Sequence, residues 1–489
     1  MKSKIMLIVL LTAILGITST FAQDLPVDHE AAGINVVVPD TWIFKADQDN
    51  GKYWEPFTDI FGDGTVLVGA NTYPENEAGM NMKVAFVDPA SGEVEEYWAF
   101  YTDAGEPWTG PFNEKRTDGN PARVAADRTP GGTRYIVGME STPYLYDEFN
   151  TEDRWWQDYA YDDRVGTVQI FNKTADGPVP ITNAFDPIYQ SGGPAGAQNG
   201  SQMRYGGELR FLSNGNILTV VEDQTKNIVT SGNGAIATIF NGETGEVIKA
   251  PFNAAGDEGA HSIWSNVAAF NGGFCVRSEA IFTVYDNDGN MQYFFNQQDI
   301  GITVADTGRG DGSRICSNIG ANYVYFAGKD SASDMVVARF DAVNSTGPDD
   351  IQGFAEIFAN EETYLGSEFA FDRAEIACDD AGNFCVVYEA DAALTSSEQV
   401  VARIFDSNME PVTPSFYAFQ NHDGWEGDIL GINTHEPNVA MNNQIIAISA
   451  DGIFWDDELN DLTPAEQALV IVLESPFAED TSVQQWDLY

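Results

Sequence analysis

Three arginines stand out in a chain that is poor in cations: Arg123 in "NPARVA", Arg314 in "GSRICS" and Arg373 in "FDRAEIA". A guanidinium presents a rigid fork of donors that matches a carboxylate or sulfate group, so three of them converging would suit an anionic polysaccharide. Arg210, His261 and His435 fall at closely equivalent places in the chain and are candidates for the same site. The chain's own acids could serve these arginines equally well, Asp372, Glu375 and Glu436 among them. Both readings require the fold to bring distant segments together.

A second group is aromatic. The stretch "STPYLYDEFNTEDRWWQDYAYDDRVG", residues 141–166, places Trp155, Trp156 and Tyr159 among carboxylates. Aromatic faces stack on sugar rings while Asp and Glu accept from hydroxyls; alternatively, the insertion packs its rings into a small core of its own. A glycoside hydrolase needs two opposed carboxylates, and a lyase needs a base beside a cation. Among 75 Asp and Glu, pairs of carboxylates are everywhere and none is specific. The sequence contains no H-E-x-x-H, G-x-S-x-G, P-loop or C-x-x-C-H pattern. Calcium is the one cofactor suggested, by the oxygen-rich stretches "YDNDGNM" from Tyr285 and "DTGRGDGS" from Asp306, neither of which fits an EF-hand.

The elements that must position these residues are written as a repeated phrase. "VAFVDPASGEVEEYWAF", "VQIFNKTADGPVPITNAF", "ATIFNGETGEVIKAPF", "TVYDNDGNMQYFF", "VARFDAVNSTGPDDIQGFAEIF" and "VARIFDSNMEPVTPSF" each read as strand, turn, strand. The first-turn Asp or Asn falls at positions 88, 172, 241, 286, 341 and 406. Another hairpin precedes most copies, as in "ELRFLSNGNILTVVED" and "AEIACDDAGNFCVVYEA", which makes a four-stranded unit. A seventh unit from Glu436 lacks a clear fourth strand, and "GINVVVPDTW" near the start of the chain lacks a partner. Pairing the two closes a ring and leaves no open edge at the seam. The expectation is an all-β, seven-bladed β-propeller of four-stranded antiparallel blades closed by an N-terminal strand, with six or eight blades if the irregular second unit is misread.

The outer-hairpin phrase resembles the "V-x-R-F-D-x-x-G-x-P" of secreted bacterial β-propellers of the sialidase-like kind, over roughly residues 33–476. The resemblance is to the fold, and the sialidase Asp-box (Ser-x-Asp-x-Gly-x-Thr-Trp) is absent. In such a ring the short turns share one face. The long connections, and with them any site, share the other.

Residues 1–22, "MKSKIMLIVLLTAILGITSTFA", read as a signal peptide, with 23–32 a flexible N-terminus, 33–476 the propeller and 477–489 a tail. Removing Lys2 and Lys4 from 24 cations leaves 22 − 75 = −53 for the exported chain. Such a field repels nucleic acid and anionic lipid, so neither is an expected partner, and no membrane insertion is expected after cleavage. It suits a salty or divalent-rich medium outside the cell, or in the periplasm. Four cysteines allow three pairings; Cys378–Cys385 across one hairpin and Cys275–Cys316 between neighbouring units are favoured here over buried free thiols. Three function classes follow: a secreted propeller binding a glycan or protein at the cell surface or in the matrix, a polysaccharide-active hydrolase or lyase, and a structural subunit bridged by cations.

Overall fold

The computed structural model describes residues 26–44, 52–73, 81–109, 123–141, 165–188, 201–202, 208–223, 234–255, 266–304, 313–332, 334–361, 371–391, 398–419, 433–453, 455–456, 461–462 and 467–478. The repeated phrase builds seven four-stranded antiparallel blades in a ring. Their innermost strands are Lys52–Ile60, Arg123–Ala126, Glu208–Phe211, Asn266–Phe270, Ser313–Cys316, Phe371–Cys378 and Asn433–Met441, for blades one to seven in turn. Blade seven runs Asn433–Met441, Ile445–Ile453, Gln467–Glu474 and finally Val36–Phe44, so the orphan N-terminal strand does supply the missing outer strand. Val36 lies opposite Leu473 and Thr41 opposite Val470, with irregular steps that let the strand follow the twisted outer edge.

Alternation along each strand sends successive side chains to opposite faces. One face of a blade therefore packs on the preceding blade and the other on the next. Seven apolar clusters result, one at each junction between neighbours. Val38, Phe44, Val470 and Val472 of blade seven meet Ile60, Val66 and Val68 of blade one, so the seam is packed like the other six junctions. Between blades one and two the rings of Tyr135 and Phe171 stack at 5.1 Å, with Phe61 and Phe86 edge-on to Tyr135.

The repeated aspartates are turn formers. Asp286 accepts from the backbone N–H groups of Asp288 and Asn290, and Asp406 does the same for Asn408 and Glu410. Most copies place Gly in the left-handed position that follows, as at Gly92, Gly245 and Gly289. In "VARIFDSNMEP" Met409 takes it, at φ 68. Blade two departs from the expected register. Asn172 lies within the strand Val165–Thr174, opposite Arg134, and the turn falls two residues later, before Gly177.

Neither expected disulfide is formed. Cys378 lies opposite Phe384 and Cys385 opposite Ala377, so the two cysteines are one residue out of register and point to opposite faces of their blade. Cys385 enters the cluster shared with blade seven and Cys378 the cluster shared with blade five. Cys275 packs between blades four and five, apart from Cys316. All four are free and buried.

The N-terminal segment expected to be flexible is docked where it is described. Val27 adds as a parallel bridge beside Phe416 on the outer edge of blade six. Asp28 then caps a single helical turn, His29–Ala32, that leads into the seam strand. His29 is buried, its Nε2 donates to the carbonyl of Ala418 at 3.0 Å, and its ring meets Phe416 edge-on. Among the described residues no helix is long and apolar enough to cross a membrane.

Burial holds the His29 pKa below its ordinary value of 6.5, against the opposing pull of its backbone contacts and Asp28. Its contribution to stability is therefore complete above pH 6.5 and is lost as the pH falls through the lowered folded value. Thermal melts of wild type and His29→Gln should diverge as the pH falls below 6.5, until it passes the lowered folded value. The wild type should lose at most about 1.4 kcal/mol per pH unit more than the variant, and parallel melts from pH 7.5 to 5 would remove His29 as the titrating group.

Candidate functional site

Residues of all seven blades line a cavity on the ring axis of about 60 Å³, which reaches from Glu208 and Arg314 near the starts of their inner strands to Arg128, Asn318 and Ile319 at the short-turn ends. That is room for a few water molecules and far below the roughly 300 Å³ at which ligand pockets begin. Charged side chains fill the rest. Arg314 of blade five donates from Nε to Glu375 of blade six at 2.6 Å and from Nη1 to Glu208 of blade three at 3.1 Å. Glu208 also faces Arg210 Nη2 at 2.9 Å, so two guanidinium groups clasp one fully buried carboxylate. Burial and the neighbouring Glu208 push the Glu375 carboxyl above its ordinary range, against the pull of Arg314 and Arg123.

Arg123 of blade two is buried, with its guanidinium 4.9 Å from the centre of the Phe57 ring. Arg210 approaches the same ring at 5.8 Å, so blades one, two and three meet through a cation–π contact. Beside them Asp59 accepts from Arg128 Nε at 2.7 Å and from the backbone N–H of Ala126 at 2.8 Å. Asn438 of blade seven accepts from the Thr58 backbone at 2.8 Å. These bonds cross between blades where no sheet hydrogen bonds do.

Arg373 stands apart. Its Nη1 donates to Glu436 of blade seven and its Nε lies 3.7 Å from Glu389, while a third of its side chain remains exposed. Burial works against its charge, but Glu436, Glu389 and Asp451 outweigh it and raise the pKa above the ordinary value. The backbone is unusual on both sides of this pair. Arg373 has φ 45 and Glu436 φ 53, and each sits in an irregular step of its inner strand, between Asp372 and Glu375 and between His435 and Asn438. Left-handed backbone at non-glycine residues costs on the order of 1–3 kcal/mol each and persists where the surroundings enforce it.

Arg123 and Arg314 are thus brought to one charge cluster at the axis, and Arg373 to a neighbouring pair. The acids weighed in the sequence as their partners include two actual ones, Glu375 and Glu436. Glu208, Glu389, Asp59 and the Phe57 ring were not singled out. Their signal was position, since each lies on an inner strand or the next strand of a repeat unit. Trp155, Trp156, Tyr159 and His261 lie outside the described residues; Ser141 and Val165, which flank the aromatic insertion, pair with each other at the long-loop face. The His435 backbone lies opposite Asp451. Of the calcium candidates, Asp286 spends its carboxylate on its own turn, and positions 306–312 lie outside the described residues.

No family model matches the chain, and no curated protein matches it. Among solved structures it is similar to a protein of unknown function from Dyadobacter fermentans, at 9% identity and TM-score 0.42 over 90% of this chain and 99% of the other. It is also similar to the α-L-arabinofuranosidase Arb93A of Fusarium graminearum, at 8% identity and TM-score 0.42 over 91% and 100%. The Hadza microbial sialidase Hz136 aligns at 9% identity and TM-score 0.37 over 86% of this chain and 65% of its own. At such scores these likenesses carry no argument about chemistry.

Replacing Arg314 by Ala should take from Glu375 the guanidinium it is bonded to and leave Glu208 with Arg210 alone, in a site already crowded with carboxylates. The expected loss is about 3 kcal/mol of stability, measured by denaturant unfolding, with most of it restored in Arg314→Ala/Glu375→Gln.

Proposed function

We propose that this protein is an exported propeller that binds a neutral, hydroxyl-rich glycan on its long-loop face, with Arg373, Glu436 and Glu389 at the centre of the contact. The observation that carries this reading is the Arg373–Glu436 pair, its side chains 36% and 11% exposed, held on two left-handed residues of adjacent blades at the channel mouth. An ion pair fixed in this way offers donors and acceptors of set direction, which sugar hydroxyls can meet without moving the protein. The guanidinium groups already face carboxylates, and a net charge near −53 opposes a polyanion, which favours a neutral chain over a uronate or sulfate. The aromatic insertion with Trp155, Trp156 and Tyr159 would supply stacking platforms from the same face.

A second reading, hydrolysis, has one specific observation in its favour. Glu375 and Glu208 share Arg314, and Glu375 is biased toward its protonated form, as a proton donor must be. Against it stands the volume of the axial cavity, which leaves no room for a sugar ring beside them.

Calorimetric titration of the mature protein with neutral and uronate oligosaccharides separates the readings. Binding of a neutral oligosaccharide that weakens about tenfold or more in Arg373→Ala and in Glu436→Gln, a loss of about 1.4 kcal/mol, supports the proposal if both variants melt near the wild type. Binding confined to uronates, or untouched by both substitutions, overturns it. New reducing ends that vanish in Glu375→Gln would establish hydrolysis instead.

A further inference from the structure

We propose that Glu389 is a positioning residue that sets the direction of the Arg373–Glu436 pair by bonding the bulged backbone of the next blade. A bulge puts two residues opposite one and turns a backbone N–H away from the ladder, and an enclosed N–H of that kind needs another acceptor. In blade seven the extra residues are Glu436 and Pro437, between His435 opposite Asp451 and Asn438 opposite Ser449. Pro437 has no N–H to place. The Glu436 N–H is met from blade six, by Glu389 Oε1 at 2.5 Å. The same carboxylate oxygen lies 3.7 Å from Arg373 Nε, while Arg373 Nη1 donates to Glu436 Oε1. Three contacts thus close a circuit through both left-handed residues. Glu389 is buried, so it reaches a bound chain only through the two residues it holds. Its effect on binding rests on the pair being the glycan contact, whereas its hold on the pair does not.

The place that Glu389 occupies recurs. It stands on the second strand of blade six, opposite Asp372, at the last regular pair before the bulge at Arg373 and Ala374. Asp451 holds the equivalent place in blade seven, opposite His435, and Asn71 holds it in blade one, opposite Trp54 and before the step to Phe57. Both are buried. The described inner strands of blades two to five pair without an irregular step. Bulged inner strands therefore occupy one arc of three adjacent blades, each with a buried carboxylate or amide at the register position beside the bulge. Asp451 also adds its negative charge to the surroundings of Arg373.

Charge and hydrogen bonding at Glu389 are separable. A neutral amide there still accepts from the Glu436 N–H but takes one carboxylate away from Arg373. An alkyl side chain removes both contacts. The left-handed backbone of Glu436, unfavourable by itself, then loses the bond that enforces it, and the pair loses its fixed direction.

The test compares the full chain with Glu389→Gln and Glu389→Leu. Amide exchange at Glu436, which the missing amide of Pro437 helps to isolate, should stay near wild type in Glu389→Gln and become about tenfold faster in Glu389→Leu, as the loss of one hydrogen bond requires. Phenylglyoxal should modify Arg373, 36% exposed, faster in both variants, and Arg314, 12% exposed, at an unchanged rate. Should Glu389→Leu fail to fold, Glu389→Gln decides the matter through Arg373. With xylohexaose and mannohexaose as neutral probes, Glu389→Leu should lose affinity alongside Arg373→Ala, by about tenfold. Equal exchange at Glu436 in all three proteins, or labelling of Arg373 unchanged in both variants, overturns the proposal. A probe that binds wild type, Glu389→Leu and Arg373→Ala equally overturns the glycan contact alone.

Discussion

Ring closure is the constraint on which everything else rests. The strand Val36–Phe44 pairs with Gln467–Glu474 and completes blade seven with residues from the opposite end of the chain. A propeller blade is stable only between two neighbours, since each sheet buries both faces. Without the seam strand, blade seven would present the open edge of Gln467–Glu474. The apolar cluster on blade one would also lose Val38, Ile43 and Phe44. The segment before the strand reinforces the closure. Val27 and His29 dock on blade six before the chain crosses to blade seven, so one stretch of polypeptide spans two blades.

Closure in turn makes the axis a place where charge is concentrated and matched. Arg314 joins blades three, five and six, Arg128 and Asp59 join one and two, and Arg373 and Glu436 join six and seven. In a protein with 75 acids and 24 bases, cations are scarce, and here several of them are spent within one small region. Buried ion pairs of this kind add little net stability compared with apolar packing, but losing one partner is costly. Their value lies in fixing which strand faces which, and in holding polar groups rigid near the mouth of the channel.

Much of this architecture was legible in the sequence because it is repetitive. The alternating phrase with its Asp turn located the outer hairpins, and the orphan strand at Val36 together with the incomplete last unit implied the seam. Blade two was hardest to read, because its turn slips two residues beyond Asn172. The cysteines were misjudged for a related reason. A tight loop between Cys378 and Cys385 suggested that they face each other, yet the register sets them one residue apart and so on opposite faces. The arginines were recognisable by their rarity. Their partners Glu208 and Glu389 were hidden by abundance, since nothing local distinguishes those acids from the rest. Bulges at Arg373 and Glu436 leave no mark in composition either, for both positions carry side chains that rarely adopt left-handed backbone.

Hydrogen–deuterium exchange on the full chain and on a variant truncated before residue 45 tests most directly whether the seam holds the axis together. If closure sustains the whole ring, the intact protein protects Val36–Phe44 as strongly as its inner strands. The truncated one should then lose protection at Ser313–Cys316 and Phe371–Cys378 as well as in blade seven. Loss confined to blade seven, with the axial strands of blades three, five and six unchanged, would contradict it.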